Sequence, residues 1–190
     1  MKKIAFITGM TGQDGPYLAK HLLENDYKVY GLVKRYSNPN LSNLDYLGIQ
    51  DDVELITGDI TDDANMIHLI KTIRPNEFYN LAAQSFVGSS WEISKMTAEV
   101  NAMGVLNILN AIVGHNPITK FYQASTSELY GNANIDGVQN EKTPFRPCSP
   151  YGISKLYAYW MTVNFRESYS LHASNGILFN HESPIRGKEF

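Results

Sequence analysis

Cysteine is almost absent from this chain, since Cys148 is the only one among its 190 residues. A single thiol cannot form a disulfide within the chain, which excludes a small scaffold held together by disulfides and fits a reducing compartment. The sequence also lacks a block of positive charge, because 16 Lys and Arg are mixed with 19 Asp and Glu and give a net charge of −3. Without clustered cations to neutralise phosphates, a nucleic-acid-binding surface is not expected.

Long apolar runs are missing as well. No stretch approaches the roughly 20 consecutive apolar residues that a membrane-spanning helix needs. The apolar start, Met1 to Ile7, is similar to a signal peptide, but it passes into Thr8-Gly9 and reaches no small-residue cleavage site. We therefore expect a soluble, cytoplasmic protein with about one domain.

Short apolar runs of strand length alternate with longer segments of helical periodicity. The predicted strands span 3–8, 28–33, 53–57, 77–82, 121–124 and 173–179, and the predicted helices span 17–25, 64–73, 96–113 and 150–169. Continuous apolar strands that alternate with helices are typical of βαβ units, in which helices cover both faces of a parallel sheet. The predicted fold class is therefore α/β, with a doubly wound parallel sheet.

Two of the predicted helices, 96–113 and 150–169, carry apolar residues on more than one face. A helix that packs against one sheet needs only one apolar stripe, so a second stripe requires another partner. That partner is either a further part of the same chain or a second copy packed against the helix pair. We favour a homodimer through helices 96–113 and 150–169, and the sequence leaves open whether such dimers pair into a homotetramer.

A glycine-rich turn follows the first strand and has the sequence Gly9-Met10-Thr11-Gly12-Gln13-Asp14-Gly15. The diphosphate of a dinucleotide needs a tight turn, a backbone that it can approach closely and the unpaired N–H groups of a helix N-terminus. The G-x-x-G-x-x-G pattern meets these needs between the first strand and the first helix, where Rossmann-type folds bind a dinucleotide. A turn with a purely structural role is the alternative, but the position favours a dinucleotide site formed by residues 9–15.

The end of the second strand indicates which dinucleotide binds. Folds that bind NAD usually present an Asp or Glu there to the ribose hydroxyls. This chain has Lys34, Arg35 and Ser37 instead, and two cations with a hydroxyl suit the 2′-phosphate of NADP. The sequence thus predicts NADP, with a solvated pair of cations at a strand end as the alternative.

Further cofactor contacts are predicted at the ends of the third and fourth strands. Asp59 and Ile60 follow the third strand and are placed to hold the adenine edge. The fourth strand ends in mostly small residues, which let a cofactor lie against the backbone: Leu81, Ala82, Ala83, Gln84 and Ser85.

A tyrosine and a lysine are predicted to form an acid–base pair at the start of the last long helix. Ser149 suits the N-cap position and Pro150 the first helical position, so Tyr151 and Lys155 become i, i+4 neighbours on one face. A nearby ammonium stabilises tyrosinate. We therefore expect Lys155 to lower the pKa of the Tyr151 phenol towards neutral pH and make it a general base, with a chance pattern as the alternative.

Hydroxyls and a carboxylate follow the fifth strand in the run Ser125-Thr126-Ser127-Glu128. Open α/β sheets bind their ligands at the carboxyl ends of the strands. We expect Thr126 to hydrogen-bond the substrate and Glu128 to act as a second acid–base group beside Tyr151. The alternative is a capping box formed by Ser125 and Glu128, although no long helical pattern follows it.

Together these motifs resemble the extended short-chain dehydrogenase/reductase superfamily, and more narrowly the GDP-mannose 4,6-dehydratase family. The narrower resemblance rests on the Gln13-Asp14 pair in the glycine turn, on Ser149-Pro150-Tyr151-Gly152 and on Asn180-His181-Glu182-Ser183-Pro184. It implies a Rossmann-type fold that binds NADP. The catalytic group that it implies is Thr126, Glu128, Tyr151 and Lys155. The cofactor contacts it adds are Tyr151, Lys155, His181 and Arg186, and its substrate contacts are Ser85, Thr126, Glu128, Tyr151 and Asn180.

The reaction that the resemblance implies is the conversion of GDP-mannose to GDP-4-keto-6-deoxymannose, which makes the protein a carbon–oxygen lyase. Tyr151, assisted by Lys155 and Thr126, takes the proton of the sugar 4-hydroxyl while hydride passes from C4 to NADP⁺. Glu128 then takes the C5 proton and helps water to leave from C6, and the hydride returns to C6. Two alternatives stay open: a reductase or epimerase for a related sugar nucleotide, and a non-catalytic module that binds NADP and dimerises.

The resemblance also implies a division of the chain. Residues 1–180 would form the NADP-binding domain, and residues 181–190 would begin a smaller substrate-binding domain. Most of that second domain is absent from this sequence, so we expect the chain to be a fragment of a longer protein.

Overall fold

The computed structural model describes residues 2–34, 40–132 and 137–187, and its centre is a six-stranded parallel sheet. The strands are β1 (Ile4–Thr8), β2 (Lys28–Val33), β3 (Glu54–Thr57), β4 (Glu77–Asn80), β5 (Lys120–Thr126) and β6 (Ala173–Leu178). They lie in the order β3-β2-β1-β4-β5-β6, and each pairs in parallel with its neighbours. The strand order reverses between β1 and β4, which is where doubly wound folds bind ligands. The predicted fold class is confirmed.

Helices connect these strands and cover both faces of the sheet. They are α1 (Asp14–Glu24), α2 (Ser42–Tyr46), α3 (Asp63–Ile73), α4 (Ser94–Ala98), α5 (Gly104–His115) and α6 (Pro150–Tyr169). Short 3-10 helices lie at Gly88–Trp91 and Ser127–Leu129, and a π-helical turn, Glu99–Met103, joins α4 to α5. The bounds of β2 and α6 agree with the prediction, whereas α1 begins three residues before the predicted start. The predicted helix 96–113 consists of α4, the π-helical turn and α5, and α2 has no counterpart among the predicted elements.

Each face of the sheet is buried in its own core, because successive residues of a strand point to opposite faces. In β1, Phe6 packs with residues of α3, α5 and α6. Ala5 and Ile7 pack with residues of α1 and α2 on the other face. The Phe6 ring meets that of Phe78 edge to face, with 4.9 Å between centroids. Burial on both faces explains why these strands are continuous apolar runs in the sequence.

The start of α6 confirms the predicted N-cap. The Ser149 hydroxyl accepts a hydrogen bond of 3.0 Å from the Gly152 N–H, and Pro150 occupies the first helical turn. Tyr151 and Lys155 lie on the buried face of this helix. The cap therefore sets where α6 begins and, with it, where these two side chains stand.

The helical segment Ser94–His115 is long and apolar enough, by length and composition alone, to cross a membrane. This corrects the expectation that no such segment exists. Of its most apolar stretch, 56% is buried inside the domain, and Ile108, Leu109 and Ile112 belong to the core beneath α3 and α6. That core accounts for the apolar residues on the buried side of this segment.

An exposed stripe of apolar side chains runs along the outer faces of α4 and α6. On α6, Ile153, Tyr157 and Trp160 follow an i, i+4, i+7 spacing and are 59%, 39% and 55% exposed. On the adjoining segment, Met96 and Met103 are each 46% exposed. Both α4 and the π-helical turn pack against α6, and Met96 also lines the cleft at the carboxyl ends of the strands. The second apolar stripe predicted for helix 150–169 therefore faces outwards in this chain.

Candidate active site

The turn between β1 and α1 depends on glycine. Gly9 has a φ of +71°, and a Cβ atom there would lie 2.8 Å from the backbone nitrogen of Ala82. A Cβ atom at Gly15 would lie 2.6 Å from the Gly9 oxygen. The N-cap residue of α1, Gln13, makes no side-chain hydrogen bond to the helix, which leaves the first N–H groups of α1 to a ligand. A turn without side chains, followed by free N–H groups at a helix N-terminus, fits the diphosphate of a dinucleotide.

The short helix α2 holds this turn from outside. Asn43 Nδ2 donates to the carbonyl oxygens of Thr11, at 3.1 Å, and Gly12, at 3.0 Å. The contact joins residues more than thirty positions apart and fixes the peptide planes of the turn. Sequence reasoning missed Asn43, because a single asparagine in a five-residue helix carries no pattern.

The ends of β2 and β3 meet at one side of the site. Lys34 Nζ lies 3.3 Å from Asp59 Oδ2, and Asp59 Oδ1 accepts hydrogen bonds from the Thr61 N–H and hydroxyl. Burial opposes ionisation, but the Thr61 hydrogen bonds and the Lys34 ammonium outweigh it and lower the pKa of Asp59. The structure therefore brings Lys34 and Asp59 together, whereas the predicted Arg35 and Ser37 lie outside the described residues.

A chain of buried hydrogen bonds forms the floor of the site and joins three strands to α6. The Thr8 hydroxyl donates to Asn80 Oδ1 over 2.6 Å, and Asn80 Nδ2 donates to Gln123 Oε1 over 2.8 Å. Gln123 Nε2 donates to the Ala124 oxygen, which also accepts a bond of 2.9 Å from Lys155 Nζ. Buried polar groups need such partners to offset lost hydration. The sequence signal for this chain of bonds is the presence of polar residues inside otherwise apolar strands, namely Thr8, Asn80 and Gln123.

The π-helical turn Glu99–Met103 holds the loop after β4. The buried Asn101 accepts a hydrogen bond of 2.8 Å from the Gln84 N–H and donates one of 3.0 Å to the Gln84 oxygen. Its amide also lies 3.3 Å from the Ser154 hydroxyl on α6. Local π-helical geometry is frequent at functional sites, and here it fixes the predicted contacts Gln84 and Ser85 relative to α6.

Tyr151 and Lys155 stand together at the site, but their pKa values differ from the prediction. Lys155 is buried, and burial lowers its pKa to about 8. Its ammonium bonds the Ala124 oxygen and lies 5.9 Å from the centre of the Tyr151 ring. Burial raises the pKa of Tyr151, and the Thr126 side chain lowers it only in part. The expected lowering by Lys155 is therefore wrong, because the desolvation of the phenol outweighs a cation directed towards a backbone carbonyl.

Thr126 and Glu128 follow β5 next to Tyr151. Thr126 is buried, and its hydroxyl accepts a hydrogen bond of 3.2 Å from the Glu128 N–H, which caps the 3-10 helix Ser127–Leu129. Ser125 does not form the alternative capping box, since its hydroxyl donates to Asn175 of β6. The Glu128 carboxylate is close enough to Tyr151 to raise the pKa of the phenol.

The residues after β6 fold back over the glycine turn. Gln13 Nε2 donates to the His181 oxygen over 3.0 Å, and Asp14 Oδ1 lies 2.7 Å from His181 Nε2. Arg186 also donates to the His181 oxygen. His181 and Arg186 are thus next to the predicted dinucleotide site, as the resemblance implied.

These elements enclose a cleft of about 1110 Å³ along the carboxyl ends of the strands. The predicted residues that line it are Gly9, Thr11, Gly12, Gln13, Asp14, Gly15, Lys34, Asp59, Ile60, Leu81, Ala82, Ala83, Gln84, Ser85, Thr126, Tyr151, Lys155, Asn180, His181 and Arg186. Two of the predicted site residues that the structure describes, Met10 and Glu128, do not line this cleft. The Met10 side chain is fully buried and packs beneath Gly31, so it belongs to the core and not to the cleft. Glu128 is half-buried beside Tyr151 without lining the cleft itself.

Comparison with protein families matches residues 6–190 to the family described as GDP-mannose 4,6 dehydratase. The GDP-mannose 4,6-dehydratase of Yersinia enterocolitica is 54% identical over the whole of this chain, and the human GDP-mannose 4,6 dehydratase is 49% identical. The chain spans about half the length of these curated relatives, 52% and 53% respectively.

Solved structures share the fold. The UDP-glucose 4-epimerase of Thermus thermophilus in complex with NAD is 27% identical, with a TM-score of 0.78 over 88% of this chain and 52% of that chain. DesIV, a dTDP-glucose 4,6-dehydratase from Streptomyces venezuelae solved with NAD and TYD, is 24% identical and has a TM-score of 0.82 over 98% of this chain and 59% of that chain. The likeness to DesIV concerns the fold alone.

Proposed function

Because this chain belongs to the GDP-mannose 4,6-dehydratase family, we propose that the protein converts GDP-mannose to GDP-4-keto-6-deoxymannose with NADP as its cofactor. One observation carries the proposal: Thr126, Tyr151 and Lys155 line the same cleft as the glycine turn. The chemistry that bound NADP supplies there is acceptance of hydride from C4 and its return to C6. The remaining steps are proton transfers, and they fall to side chains of this chain.

Tyr151 is the group that takes the proton of the sugar 4-hydroxyl, at its phenol oxygen. The Thr126 side chain acts on the phenol and offsets part of the rise that burial causes in its pKa. Lys155 has a pKa of about 8, so it is mostly protonated at neutral pH and places a positive charge beneath the site. That charge favours tyrosinate once the proton has moved.

Glu128 is the base that removes the C5 proton. Oxidation at C4 acidifies that proton, and Glu128, whose carboxylate is close enough to raise the pKa of the Tyr151 phenol, is the second acid–base group beside Tyr151. The protonated Glu128 then assists the departure of the C6 hydroxyl as water. The return of hydride to C6 leaves C5 to be reprotonated, and the release of the proton that Tyr151 took from the 4-hydroxyl balances that uptake. A simple reductase or epimerase needs no such elimination base.

The substitution Glu128→Gln tests this role. We expect it to lower dehydratase activity by a factor of about 10² to 10⁴, the usual contribution of a positioned acid–base group. Loss of solvent deuterium exchange at C5 should accompany it, while NADP affinity stays close to that of the wild type. Glu141→Gln, on an exposed loop residue, is the matched control. Near-full activity of Glu128→Gln, or a C-epimer as the only product of GDP-mannose, would contradict the assignment.

NADP in preference to NAD is supported by Lys34, a cation that lines the cleft at the end of β2. Asp59 holds its ammonium, in the position where the 2′-phosphate of NADP would approach. The Thermus thermophilus epimerase was solved with NAD, so the choice of dinucleotide needs its own measurement. We expect NADPH to bind at least about tenfold more tightly than NADH, and Lys34→Ala to narrow the difference. Comparable affinities in the wild type would contradict NADP.

We also propose that the protein is a homodimer through the exposed stripe of α4 and α6, with pairing of dimers as a further step. The stripe leaves Ile153 and Trp160 more than half exposed in the single chain, and large exposed apolar patches mark interaction sites. Light scattering after size exclusion should show dimers at micromolar concentration. Trp160→Arg should shift the protein towards monomer, whereas Ile118→Arg, on a residue that is 75% exposed elsewhere, should not. A wild type that stays monomeric would contradict the dimer.

A further inference from the structure

His181 sits between two hydrogen-bond acceptors. Its Nε2 lies 2.7 Å from Asp14 Oδ1, and its Nδ1 lies 2.8 Å from the Phe179 oxygen. A neutral imidazole carries only one N–H and can satisfy one acceptor, whereas the imidazolium donates from both nitrogens. The geometry therefore favours a positively charged His181, and these same two hydrogen bonds raise its pKa.

Asp14 creates an electrostatic conflict at the glycine turn. It is the first residue of α1 and lines the cleft, so its negative charge lies beside the helix N-terminus that a diphosphate would use. A carboxylate there is stabilised by the helix dipole in the same way as a ligand anion. Two anions at the same helix terminus would repel one another.

We propose that His181 is a positioning residue for the cofactor, which neutralises Asp14 so that the turn can accept a diphosphate. This inference rests on the proposed binding of NADP. Two further contacts hold His181 in place, since Gln13 and Arg186 both donate to its backbone oxygen. The link joins the turn after β1 to the segment after β6, so residues 167 positions apart act on one diphosphate site.

The charged groups around the pair support this role. Arg186 lies near His181 and is itself paired with Glu182 at 3.1 Å. Asp14, His181, Arg186 and Glu182 together carry no net charge when His181 is protonated. The Tyr122 phenol also faces Asp14, and burial together with the Asp14 charge raises its pKa and keeps it neutral. Loss of His181 would leave the cluster with one excess negative charge at the diphosphate site.

A cycle of substitutions in the intact protein tests the proposal through the dissociation constant of NADP⁺. Asp14 and His181 are 39% and 50% exposed, so solvent screens their charges and we expect moderate effects. His181→Ala should weaken binding by about tenfold, and Asp14→Asn should tighten it by about two- to threefold. The double variant should return to within about threefold of the wild type, because the repelling charge is then gone.

The outcomes separate this role from a structural one. His181→Gln can still donate to Asp14 but carries no charge, so it should bind NADP⁺ as weakly as His181→Ala. His21→Ala, on an exposed histidine in the last turn of α1, should bind as the wild type does. Wild-type affinity in His181→Gln, or a double variant as weak as His181→Ala, would overturn the proposal and leave the proposed function intact. A wild type that binds no nicotinamide dinucleotide would overturn both.

Discussion

Replacement of Lys155 by methionine should stabilise the fold and at the same time remove the proposed dehydratase activity. Burial lowers the pKa of Lys155 from the usual 10.5 to about 8, and such a difference corresponds to about 3 kcal/mol of unfavourable free energy in the folded protein at neutral pH. Methionine has a stem of similar length without the charge. The Ala124 oxygen keeps Gln123 Nε2 as a donor, so losing the bond from Lys155 costs only about 1 kcal/mol. The free energy of unfolding should therefore rise by about 2 kcal/mol at neutral pH.

The sign of the pH dependence follows from the lowered pKa. Below a pH of about 8, Lys155 is charged in both the folded and the unfolded chain, and the full cost of burying it is present. Between about 8 and 10.5 the folded protein releases the proton while the unfolded chain still binds it, so wild-type stability rises with pH. The advantage of Lys155→Met should shrink across this range and reverse near its upper end.

Urea unfolding at a pH of about 7 and again at about 10 measures both effects. Lys71→Met, on an exposed lysine of α3, is the control and should change stability by less than about 0.5 kcal/mol at either pH. A Lys155→Met variant that is less stable than the wild type at neutral pH would refute the reasoning. If Lys155→Met raised the free energy of unfolding by the same amount at both pH values, the reasoning would also be refuted. The free-energy cost of burying an ammonium must disappear when the ammonium loses its proton.

Two further substitutions test how the cleft is held. Asn43→Ala removes both hydrogen bonds to the carbonyls of Thr11 and Gly12, and it should weaken NADP⁺ binding by about tenfold in a fluorescence titration. An unchanged affinity would show that the turn is rigid without α2. Ser149→Ala removes the acceptor of the Gly152 N–H and should lower the free energy of unfolding by about 1 kcal/mol in urea. A loss of less than a few tenths would mean that Pro150 alone defines the start of α6.

The sequence predicted those elements of the fold whose signals are local. The bounds of α6 were predictable because Ser149 and Pro150 mark its start. The first turn of α1 was missed because Asp14-Gly15-Pro16 has the composition of a loop, although proline is tolerated in a first turn, where its missing N–H would have no partner. α2 was missed because five residues are too few to show a helical period.

In the candidate active site, too, the residues with a local sequence signal were predicted and those without one were missed. Contiguous motifs predicted the glycine turn, Tyr151 and Lys155, because each needs only spacing along one chain segment. Two hydrogen-bonding residues could not be predicted in this way: Asn43, which bonds the glycine turn, and Asn101, which bonds the loop after β4. Their hydrogen bonds depend on tertiary contacts between elements that are distant in the sequence. The pKa of Tyr151 depends on burial and on where a neighbouring ammonium points, and an i, i+4 spacing determines neither.

The bonds that run from Thr8 through Asn80 and Gln123 to Lys155 have a consequence for anyone who redesigns this scaffold. Lys155 bonds the Ala124 oxygen of β5, and the hydrogen bonds of Gln123, Asn80 and Thr8 link that point to β4 and β1, so the position of the ammonium depends on the sheet as well as on α6. Transplanting the tyrosine–lysine pair onto another helix would leave the ammonium without a partner unless a strand there offered a carbonyl in the place of Ala124. Conversely, a library of variants could change the loops that line the cleft and keep Thr8, Asn80 and Gln123. Such a library should alter substrate preference while the positions of Tyr151 and Lys155 stay the same.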